Sequence, residues 1–249
     1  YQPIIERDSL VAIGFEALVR WHSPVHGEIP PAVFIPIGEE TGLIHELGDW
    51  ILERALTDAL GWPGFIVSIN FSAAQFKRPD FVANICAKAR RIKVPFRRVQ
   101  IEVTETAMFE DIDRASSTLA ELQKLGFRVA LDDFGTGYSN LLSVKNFAID
   151  CIKIDKSFVD GLGIESESAA IVNAITHLAR GLGLSVTAQG VETHVQCQAL
   201  RVIGCSHMQG YLFGKGVPIE QANEYYTQWR AADRAVVADA SALSARAVR

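Results

Sequence analysis

The chain alternates short apolar runs with longer segments in which apolar residues recur every three or four positions. Short apolar runs are typical of buried strands, and the longer spacing is typical of helices that pack one face against a core. Strands are predicted at Gln2–Glu6, Ile13–Trp21, Phe65–Ser72, Val99–Thr104, Arg128–Asp133, Cys151–Asp155, Ser185–Gln189 and Met208–Phe213. Helices are predicted at Ile44–Leu60, Asp80–Arg91, Arg114–Leu125, Ser168–Leu182 and His194–Ile203.

The order of these elements predicts a single α/β domain. Strands that alternate with helices form largely parallel sheets, and 249 residues is an ordinary length for one closed barrel. We therefore predict a TIM-type (β/α)8 barrel over residues 1–230, followed by an Ala-rich tail over residues 231–249 that we expect to fray. Only Arg7–Leu10 and a few neighbours connect the first two strands, which is too short for a helical crossover. That pair is predicted to be antiparallel, which would make the barrel irregular.

Composition and charge indicate which classes of partner and which cellular compartment to expect. The net charge of −5 argues against a nucleic-acid polymer as partner, because such domains carry a basic surface. No run of about 18 uncharged apolar residues is present, so we expect no membrane contact by this domain. The 4 cysteines lack Cys-x-x-Cys spacing and are expected to be buried thiols in a reducing, cytoplasmic compartment. Because the chain begins inside a predicted strand, it is interpreted as a module of a longer protein, which could itself be membrane-anchored.

Polar residues recur on one face of the predicted strands, close to their C-terminal ends. Alternate residues of a strand point to the same side, and the C-terminal ends of barrel strands form one rim. The residues that meet this condition are Glu16, Arg20, Ser68, Asn70, Ser72, Gln100, Glu102, Thr104, Asp132, Lys153, Asp155, Thr187, Gln189, Gln209 and Tyr211. We therefore expect these groups to converge on one site.

The acidic members of this set indicate a site for divalent cations. Carboxylates gathered closely repel one another unless cations neutralise them, and oxygen ligands suit Mg²⁺ or Mn²⁺ better than Zn²⁺. The adjacent pair Asp132 and Asp133 could bridge two ions, which would clamp the oxygens of a phosphoryl displacement. Lys153 adds a cation for the phosphate or the nucleophilic water, and Arg20, roughly 13 Å along the strand from Glu16, could hold a second phosphate. The predicted substrate is a phosphodiester with more than one phosphate.

Other interpretations of the same residues remain open. Taken alone, Glu16 could be a structural strand carboxylate, and the pair that begins at Asp132 could be a helix cap or a turn. A different enzyme class is also compatible: a barrel that abstracts a proton beside a carboxylate, with Lys153 as base and Mg²⁺ on Glu102 and Asp132. A nucleotide receptor without catalysis is the alternative outside enzymes.

Several motifs follow one another in a fixed order along the chain. They are Tyr1-Gln2-Pro3, Glu16-Ala17-Leu18-Val19-Arg20, Phe34-Ile35-Pro36, Asn70-Phe71-Ser72, Glu102-Val103-Thr104-Glu105, Asp132-Asp133-Phe134-Gly135-Thr136-Gly137-Tyr138-Ser139, Lys153-Ile154-Asp155 and Gln209-Gly210-Tyr211. With them, the chain resembles the EAL-domain cyclic-di-GMP phosphodiesterases of bacterial second-messenger signalling along nearly its whole length. The resemblance implies an irregular (β/α)8 barrel that opens cyclic di-GMP to linear pGpG with metal-activated water. It also implies a homodimer, fused to sensor or GGDEF domains in the full-length protein.

The resemblance implies a role for each residue of the site. Two ions, Mg²⁺ or Mn²⁺, are implied, and Ca²⁺ is expected to bind without supporting turnover. The positions of one metal site match Glu16, Asn70, Glu102 and Asp132, and Asp132 and Asp133 would share the other metal. The catalytic positions match Lys153, Gln189 and Glu192, of which Lys153 lies near the attacking water. The substrate-binding positions match Gln2, Arg20, Asp155, Gln209 and Tyr211, with Tyr211 near the guanine.

Two acidic residues of this assignment have a simpler interpretation as well. Glu105 matches the glutamate that braces the loop Phe134–Asn140, which in this family helps to form a dimer and shapes the metal site. Glu105 and Glu192 could each also be an ordinary surface or capping acid.

The chain departs from the family at Gln189. Where the family reads Ala-Glu-Gly-Val-Glu, this chain reads Ala188-Gln189-Gly190-Val191-Glu192. In the family, the first glutamate lies beside the second metal and the attacking water, as ligand or as base. Glutamine keeps the shape but loses the charge and the proton-accepting oxygen, and losing a general base typically lowers the rate by 10² to 10⁴. We therefore expect low turnover with retained nucleotide binding, either as a receptor or as a substrate-trapping form of the enzyme.

Overall fold

Eight strands close into a barrel in the computed structural model, which describes residues 1–109, 111–135, 144–164 and 166–231. The strands of the described residues are β1 (Gln2–Glu6), β2 (Ala12–Ala17), β3 (Trp21–Ser23), β4 (Gly27–Ile29), β5 (Ile66–Phe71), β6 (Val99–Thr104), β7 (Arg128–Phe134), β8 (Cys151–Ile154), β9 (Ser185–Ala188) and β10 (His207–Met208). The order around the barrel is β1-β10-β9-β8-β7-β6-β5-β2, and β3 and β4 form a separate small sheet. The predicted (β/α)8 fold class is therefore confirmed.

Helices follow most of the barrel strands. They are α1 (Pro31–Thr41), α2 (Ile44–Ala59), α3 (Ala73–Phe76), α4 (Phe81–Ile92), α5 (Glu105–Phe109), α6 (Ile112–Leu125), α7 (Lys156–Asp160), α8 (Ser166–Gly181) and α9 (His194–Ile203), with a further helical segment over residues 219–231. Short 3-10 turns occupy Phe96–Arg98 and Val144–Asn146. None of the described helices is long and apolar enough to span a bilayer.

β1 is the irregular strand of the barrel. It runs antiparallel to both neighbours, β2 and β10, whereas the remaining neighbouring pairs of the barrel are parallel. The connection from Arg7 to Val11 can only form a hairpin, because a parallel return needs a crossover of a dozen residues or more. The predicted antiparallel first pair is confirmed.

The second predicted strand is shorter than the sequence pattern indicates. β2 ends at Ala17, and the chain then leaves the barrel, so that Trp21 pairs with Ile29 in the small sheet. Trp21 also packs edge-on against Phe34 of α1, with ring centroids 5.6 Å apart. Arg20 therefore does not lie on a barrel strand, and its expected place on one face with Glu16 is wrong.

The last predicted strand is also shorter. β10 covers only His207–Met208, because the chain turns at Gly210, whose carbonyl accepts from the amides of Phe213 and Gly214. A Cβ at Gly210 would lie 2.2 Å from the Val191 amide nitrogen, so only glycine permits this close approach. The turn ends the strand before Tyr211.

The hydrophobic core lies between the barrel and its outer helices. Side chains such as Phe15, Leu56, Ile85 and Leu119 are fully buried there. The barrel interior is different, because it carries buried polar groups where such barrels usually hold Val, Ile and Leu. These groups are Glu16, Ser68, Gln100, Glu102, Asp132, Lys153 and Thr187. A domain boundary at residue 230 stays a prediction, and nearly all of the expected frayed tail lies outside the described residues.

Candidate metal centre

Three buried carboxylates meet at the C-terminal mouth of the barrel. One oxygen from each of Glu16, Glu102 and Asp132 lies within 4.8 Å of the others. The Lys153 ammonium lies among them, with Nζ 3.2 Å from Glu16 Oε2, 2.7 Å from Glu102 Oε2 and 3.3 Å from Asp132 Oδ2. We call these four residues the acidic cluster. The structure thus brings together four of the residues that the sequence placed on one rim.

Strand register explains this convergence. Glu16, Glu102, Asp132 and Lys153 come from β2, β6, β7 and β8, and parallel strands present their C-terminal ends at the same mouth. Asn70 of β5 lies opposite Glu102 in the register, and Thr104 lies opposite Asp132. The four side chains are nearly inaccessible to solvent.

Burial and mutual repulsion set the protonation of the acidic cluster. Burial, followed by the charge of Glu16, raises the pKa of Glu102 to about 8. Burial likewise raises the pKa of Asp132. Burial alone would raise the pKa of Glu16, but the Lys153 ammonium and hydrogen bonds from Asn70 and Gln209 hold that pKa below its usual range. The three carboxylates outweigh the desolvation of Lys153 and raise its pKa well above the ordinary value, so Lys153 is an ammonium at neutral pH.

Amide side chains hold Glu16 from both sides. Asn70 Nδ2 donates to Glu16 Oε1 at 2.6 Å, and Gln209 Nε2 donates to Glu16 Oε2 at 2.8 Å. Gln209 Nε2 also donates to Gln2 Oε1 at 3.1 Å, which places Gln2 beside the acidic cluster. The buried Oε1 of Gln209 has no hydrogen-bond partner among the described residues. An unpaired buried acceptor of this kind indicates that the mouth is built to receive a donor, such as a water or a ligand group.

Asp133 and Asp155 lie at the solvent-exposed edge of the acidic cluster. Partial burial, followed by the charges of Asp132 and Asp155, raises the pKa of Asp133 to about 6. Asp133 has a φ of 54°, in the left-handed region, and the pairing of β7 with β8 shifts register around it. Asp155 caps α7, with Oδ1 accepting from the amide and the hydroxyl of Ser157. A strained non-glycine residue beside a buried charged cluster is typical of a functional site.

Glu105 begins α5 and is buried. Its Oε2 accepts from the Gly135 amide at 3.3 Å, which ties α5 to the residue that follows β7. The predicted brace of the loop Phe134–Asn140 can be followed only this far, because residues 136–140 lie outside the described residues.

Gln189 and Glu192 follow β9, and neither joins the acidic cluster by a hydrogen bond or an ion pair in the described parts of the chain. Gln189 is half-buried, and its backbone N–H donates to the Ile154 carbonyl at 3.0 Å. Glu192 is 43% exposed and pairs with Lys156 Nζ at 2.6 Å. The structure therefore places Glu192 with a surface cation rather than with the buried carboxylates.

Arg20 lines a cavity of about 360 Å³ beside the barrel mouth. The walls include Leu18, Trp50 and Gly216. Arg20 Nη1 donates to the neighbouring carbonyl of Val19 at 2.9 Å, and Arg20 has no other hydrogen-bond partner in the part of the chain that the structure describes. Tyr211 is 60% exposed and lies outside this cavity, with Lys215 Nζ 5.0 Å from its ring centroid. Apart from Arg20 and the ion pair of Arg54 with Asp58, the walls are largely apolar.

The sequence predicts no function for Ser68 or Gln100, although it places both on the inward face of the barrel. Ser68 and Gln100 are buried behind Glu102 and hydrogen-bond to its Oε1. Each lies two residues before a predicted metal ligand, Asn70 or Glu102, and this spacing placed them on the same face of the sheet. The spacing does not indicate which side chains are in contact.

The donor set of the acidic cluster fits a hard divalent cation. All its acceptor atoms are oxygens, three carboxylates converge, and the amide oxygen of Asn70 accepts no hydrogen bond within the described segments. Oxygen-only sets of this kind suit Mg²⁺, Mn²⁺ or Ca²⁺. The cluster could therefore bind a metal ion.

Sequence and structure comparisons identify the family. The profile of the EAL domain matches residues 1–216. An uncharacterized signaling protein of Caulobacter vibrioides is 41% identical over 91% of this chain and 28% of its own length. The bifunctional diguanylate cyclase/cyclic di-GMP phosphodiesterase MucR of Pseudomonas aeruginosa is 38% identical over 89% of this chain and 33% of its own length.

Solved structures agree with this result. The MucR phosphodiesterase in complex with c-di-GMP superposes with a TM-score of 0.86 at 38% identity, covering 89% of this chain and 92% of that chain. The calcium/cy-diGMP complex of Klebsiella pneumoniae BlrP1 has a TM-score of 0.73 at 31% identity, covering 85% of this chain and 53% of that chain. The chain belongs to the EAL domain family. It spans about a third or less of the length of the two curated relatives.

Proposed function

We propose that this chain is a cyclic-di-GMP phosphodiesterase domain that hydrolyses cyclic di-GMP to linear pGpG with two divalent cations, and that Gln189 lowers its turnover. The observation that carries the proposal is the acidic cluster, in which Glu16, Glu102 and Asp132 converge within 4.8 Å at the barrel mouth. The solved complexes of MucR with c-di-GMP and of BlrP1 with calcium and cy-diGMP support the choice of ligand and cation.

The metal ligands proposed are the same residues that the sequence indicates. Glu16, Asn70, Glu102 and Asp132 would hold one ion, and Asp132 and Asp133 would share the second. When bound, the ions would lower the pKa of a water and neutralise charge on the phosphate. Mg²⁺ or Mn²⁺ would support turnover, and Ca²⁺ would bind without supporting it.

Lys153 would act as a fixed positive charge. Its raised pKa keeps the ammonium protonated at neutral pH, so it can donate hydrogen bonds to a phosphate or to the attacking water. The same observation speaks against the proton-abstracting barrel, because a lysine that serves as general base must be neutral when it accepts the proton.

Substrate contacts would come from the mouth and the cavity beside it. Arg20 would bind a phosphate, since its guanidinium lines the cavity and pairs with no carboxylate among the described residues. Gln2 and Gln209 would hold the nucleotide next to Glu16, and the unpaired Oε1 of Gln209 supports this role. Tyr211 and Asp155 would contribute from the exposed edge.

Gln189 supports a second candidate, a cyclic-di-GMP receptor with little or no turnover. A primary amide cannot accept a proton from water as a carboxylate does, so binding can persist where hydrolysis is lost. Glu192 would then lack the neighbouring acid that the resemblance implies. We further propose that the domain acts as a homodimer within a longer cytoplasmic signalling protein with sensor or GGDEF domains. The greater length of its relatives supports the longer protein.

A calorimetric titration with cyclic di-GMP tests the proposal when it is combined with product analysis. In Ca²⁺ we expect binding without product, and in Mg²⁺ we expect binding with slow formation of pGpG. Arg20→Met should weaken binding, whereas Arg97→Met, a change at an exposed arginine away from the site, should not. Binding without any product in Mg²⁺ would favour the receptor, and no binding in either cation would overturn both candidates.

A further inference from the structure

Ser68 and Gln100 support Glu102 from inside the barrel. The Ser68 hydroxyl donates to Glu102 Oε1, and Gln100 Nε2 donates to Ser68 Oγ at 2.9 Å and to Glu102 Oε1 at 3.2 Å. Ser68 is 0% exposed, Gln100 8% and Glu102 1%. We call Ser68 and Gln100 the Glu102 brace.

Strand register produces the Glu102 brace. Ser68 of β5 lies opposite Gln100 of β6, and the next pair on the same face is Asn70 opposite Glu102. Residues two apart on a strand share a face, so Gln100 lies directly behind Glu102 in the barrel interior.

The brace acts on one oxygen of Glu102 and leaves the other for the cluster. Both donors are directed at Oε1, while Oε2 faces the Lys153 ammonium at 2.7 Å. A carboxylate with one oxygen fixed by hydrogen bonds presents its second oxygen in a defined direction. Hydrogen bonds of this kind to a metal-ligating side chain typically change metal affinity by 10- to 100-fold when they are removed.

Gln100 is too deep in the barrel to touch a ligand at the mouth. It lies two residues before Glu102, which is about 7 Å along the strand. On its other side it lines a cavity of about 280 Å³ at the opposite mouth, together with Arg128, Asp150 and His207. Any effect of Gln100 on the site must therefore pass through Ser68 and Glu102.

We propose that Ser68 and Gln100 are positioning residues that orient Glu102 toward a divalent cation and thereby set the cation affinity of this domain. The inference rests on the proposed function, since it takes Glu102 as a metal ligand. The polar pair stands where such barrels usually hold aliphatic side chains, and a buried amide or hydroxyl is unfavourable there unless it is hydrogen-bonded.

The test measures the dissociation constant of Mn²⁺ alone, from the electron paramagnetic resonance signal of the free ion. Ser68→Ala and Gln100→Met should each raise that constant by about 10- to 100-fold. Thr187→Val is the matched control, because Thr187 is also a buried polar residue of the barrel interior and lies opposite Lys153 in the strand register. Its hydroxyl pairs with Cys151 and His207, and among the described residues it makes no hydrogen bond to a carboxylate of the acidic cluster. This variant should bind Mn²⁺ as tightly as the unaltered chain.

The double variant separates positioning from a general loss of structure. Because both side chains act on the same oxygen, Ser68→Ala combined with Gln100→Met should weaken Mn²⁺ binding by less than the product of the two single effects. Circular dichroism and thermal unfolding check that each variant is folded. If Gln100→Met does not fold, the Mn²⁺ dissociation constant of Ser68→Ala, which removes a single oxygen, is compared with that of the unaltered chain.

The outcomes distinguish this inference from the proposed function. Mn²⁺ constants within about twofold of the parent in the folded single variants would overturn the positioning role alone, as would an equal loss in Thr187→Val. If the unaltered chain binds no Mn²⁺, the proposed function fails and the positioning role fails with it.

Discussion

Among the residues of the acidic cluster, Glu102 has a pKa that burial raises to about 8. A carboxyl with a pKa of about 8 is mostly protonated at neutral pH, which relieves part of the repulsion within the acidic cluster. In the absence of a cation this raised pKa makes folding less favourable as pH rises from the ordinary value of 4.5 toward 8, because the unfolded chain releases that proton earlier. A bound divalent cation would stabilise the carboxylate instead.

We therefore predict that cation binding releases a proton. At pH 7, Mn²⁺ should displace about one proton from Glu102, and at pH 9 it should displace almost none, because the group is then already ionised. Calorimetry in two buffers of different ionisation enthalpy measures the number of protons released. Equal proton release at both pH values would contradict the assigned protonation of Glu102.

Gln189 is the second residue whose chemistry can be isolated. Gln189→Glu should raise the rate of pGpG formation in Mg²⁺ at least about a hundredfold, because it restores a carboxylate where the resemblance implies a metal ligand or a general base. Gln198→Glu, the same chemical change at an exposed position of α9, is the control and should leave the rate unchanged. Equal rates for the parent and Gln189→Glu would show that this position does not limit turnover.

At the scale of elements, the connection between α2 and β5 is stabilised by one side chain in particular. The segment from α2 to β5 is held by Arg98, whose guanidinium donates to the carbonyls of Ala59, Trp62 and Phe65 at 2.6 to 2.8 Å. Burial lowers the pKa of Arg98, as expected for a guanidinium packed against carbonyls and without an ion-pair partner among the described residues. Arg98 thus joins three carbonyls of this segment, two of which, those of Ala59 and Trp62, also accept from backbone amides.

Arg98→Met should lower the free energy of unfolding by about 2–4 kcal/mol, because it leaves these carbonyls without their charged donor. Arg97→Met is a matched control, since the neighbouring arginine is exposed and donates no hydrogen bond within the described residues. Its effect should stay within about 0.5 kcal/mol. Urea unfolding of the two variants provides the comparison, and equal losses would show that the loop does not depend on Arg98.

The sequence predicted the barrel elements well where hydrophobic pattern and burial coincide. β6 agrees with its predicted bounds, and the antiparallel first pair follows from its short connection. β2 was overextended because Leu18 and Val19 continue its apolar run while lining the cavity beside the mouth. α1 was not predicted, because apolar residues occur all around it and Pro36 lies within it.

For the molecule as a whole, the sequence predicted that the polar side chains lie at one mouth of the barrel. It did not predict which of them are in contact. Strand parity and the order of βα units place Glu16, Glu102, Asp132 and Lys153 at one mouth, and the structure brings them together. Pattern alone could not reveal that Glu192 pairs with Lys156, because the chain after β9 follows no strand periodicity. Side-chain contacts across a barrel depend on its radius and twist, which parity does not encode.

The most direct test of the account is an anomalous diffraction experiment on crystals of this chain soaked in Mn²⁺. We predict a peak at the C-terminal mouth, within coordination distance of carboxylate oxygens from Glu16, Glu102 and Asp132. A well-ordered mouth without a manganese peak, or a crystal structure in which these three carboxylates point away from one another, would contradict it.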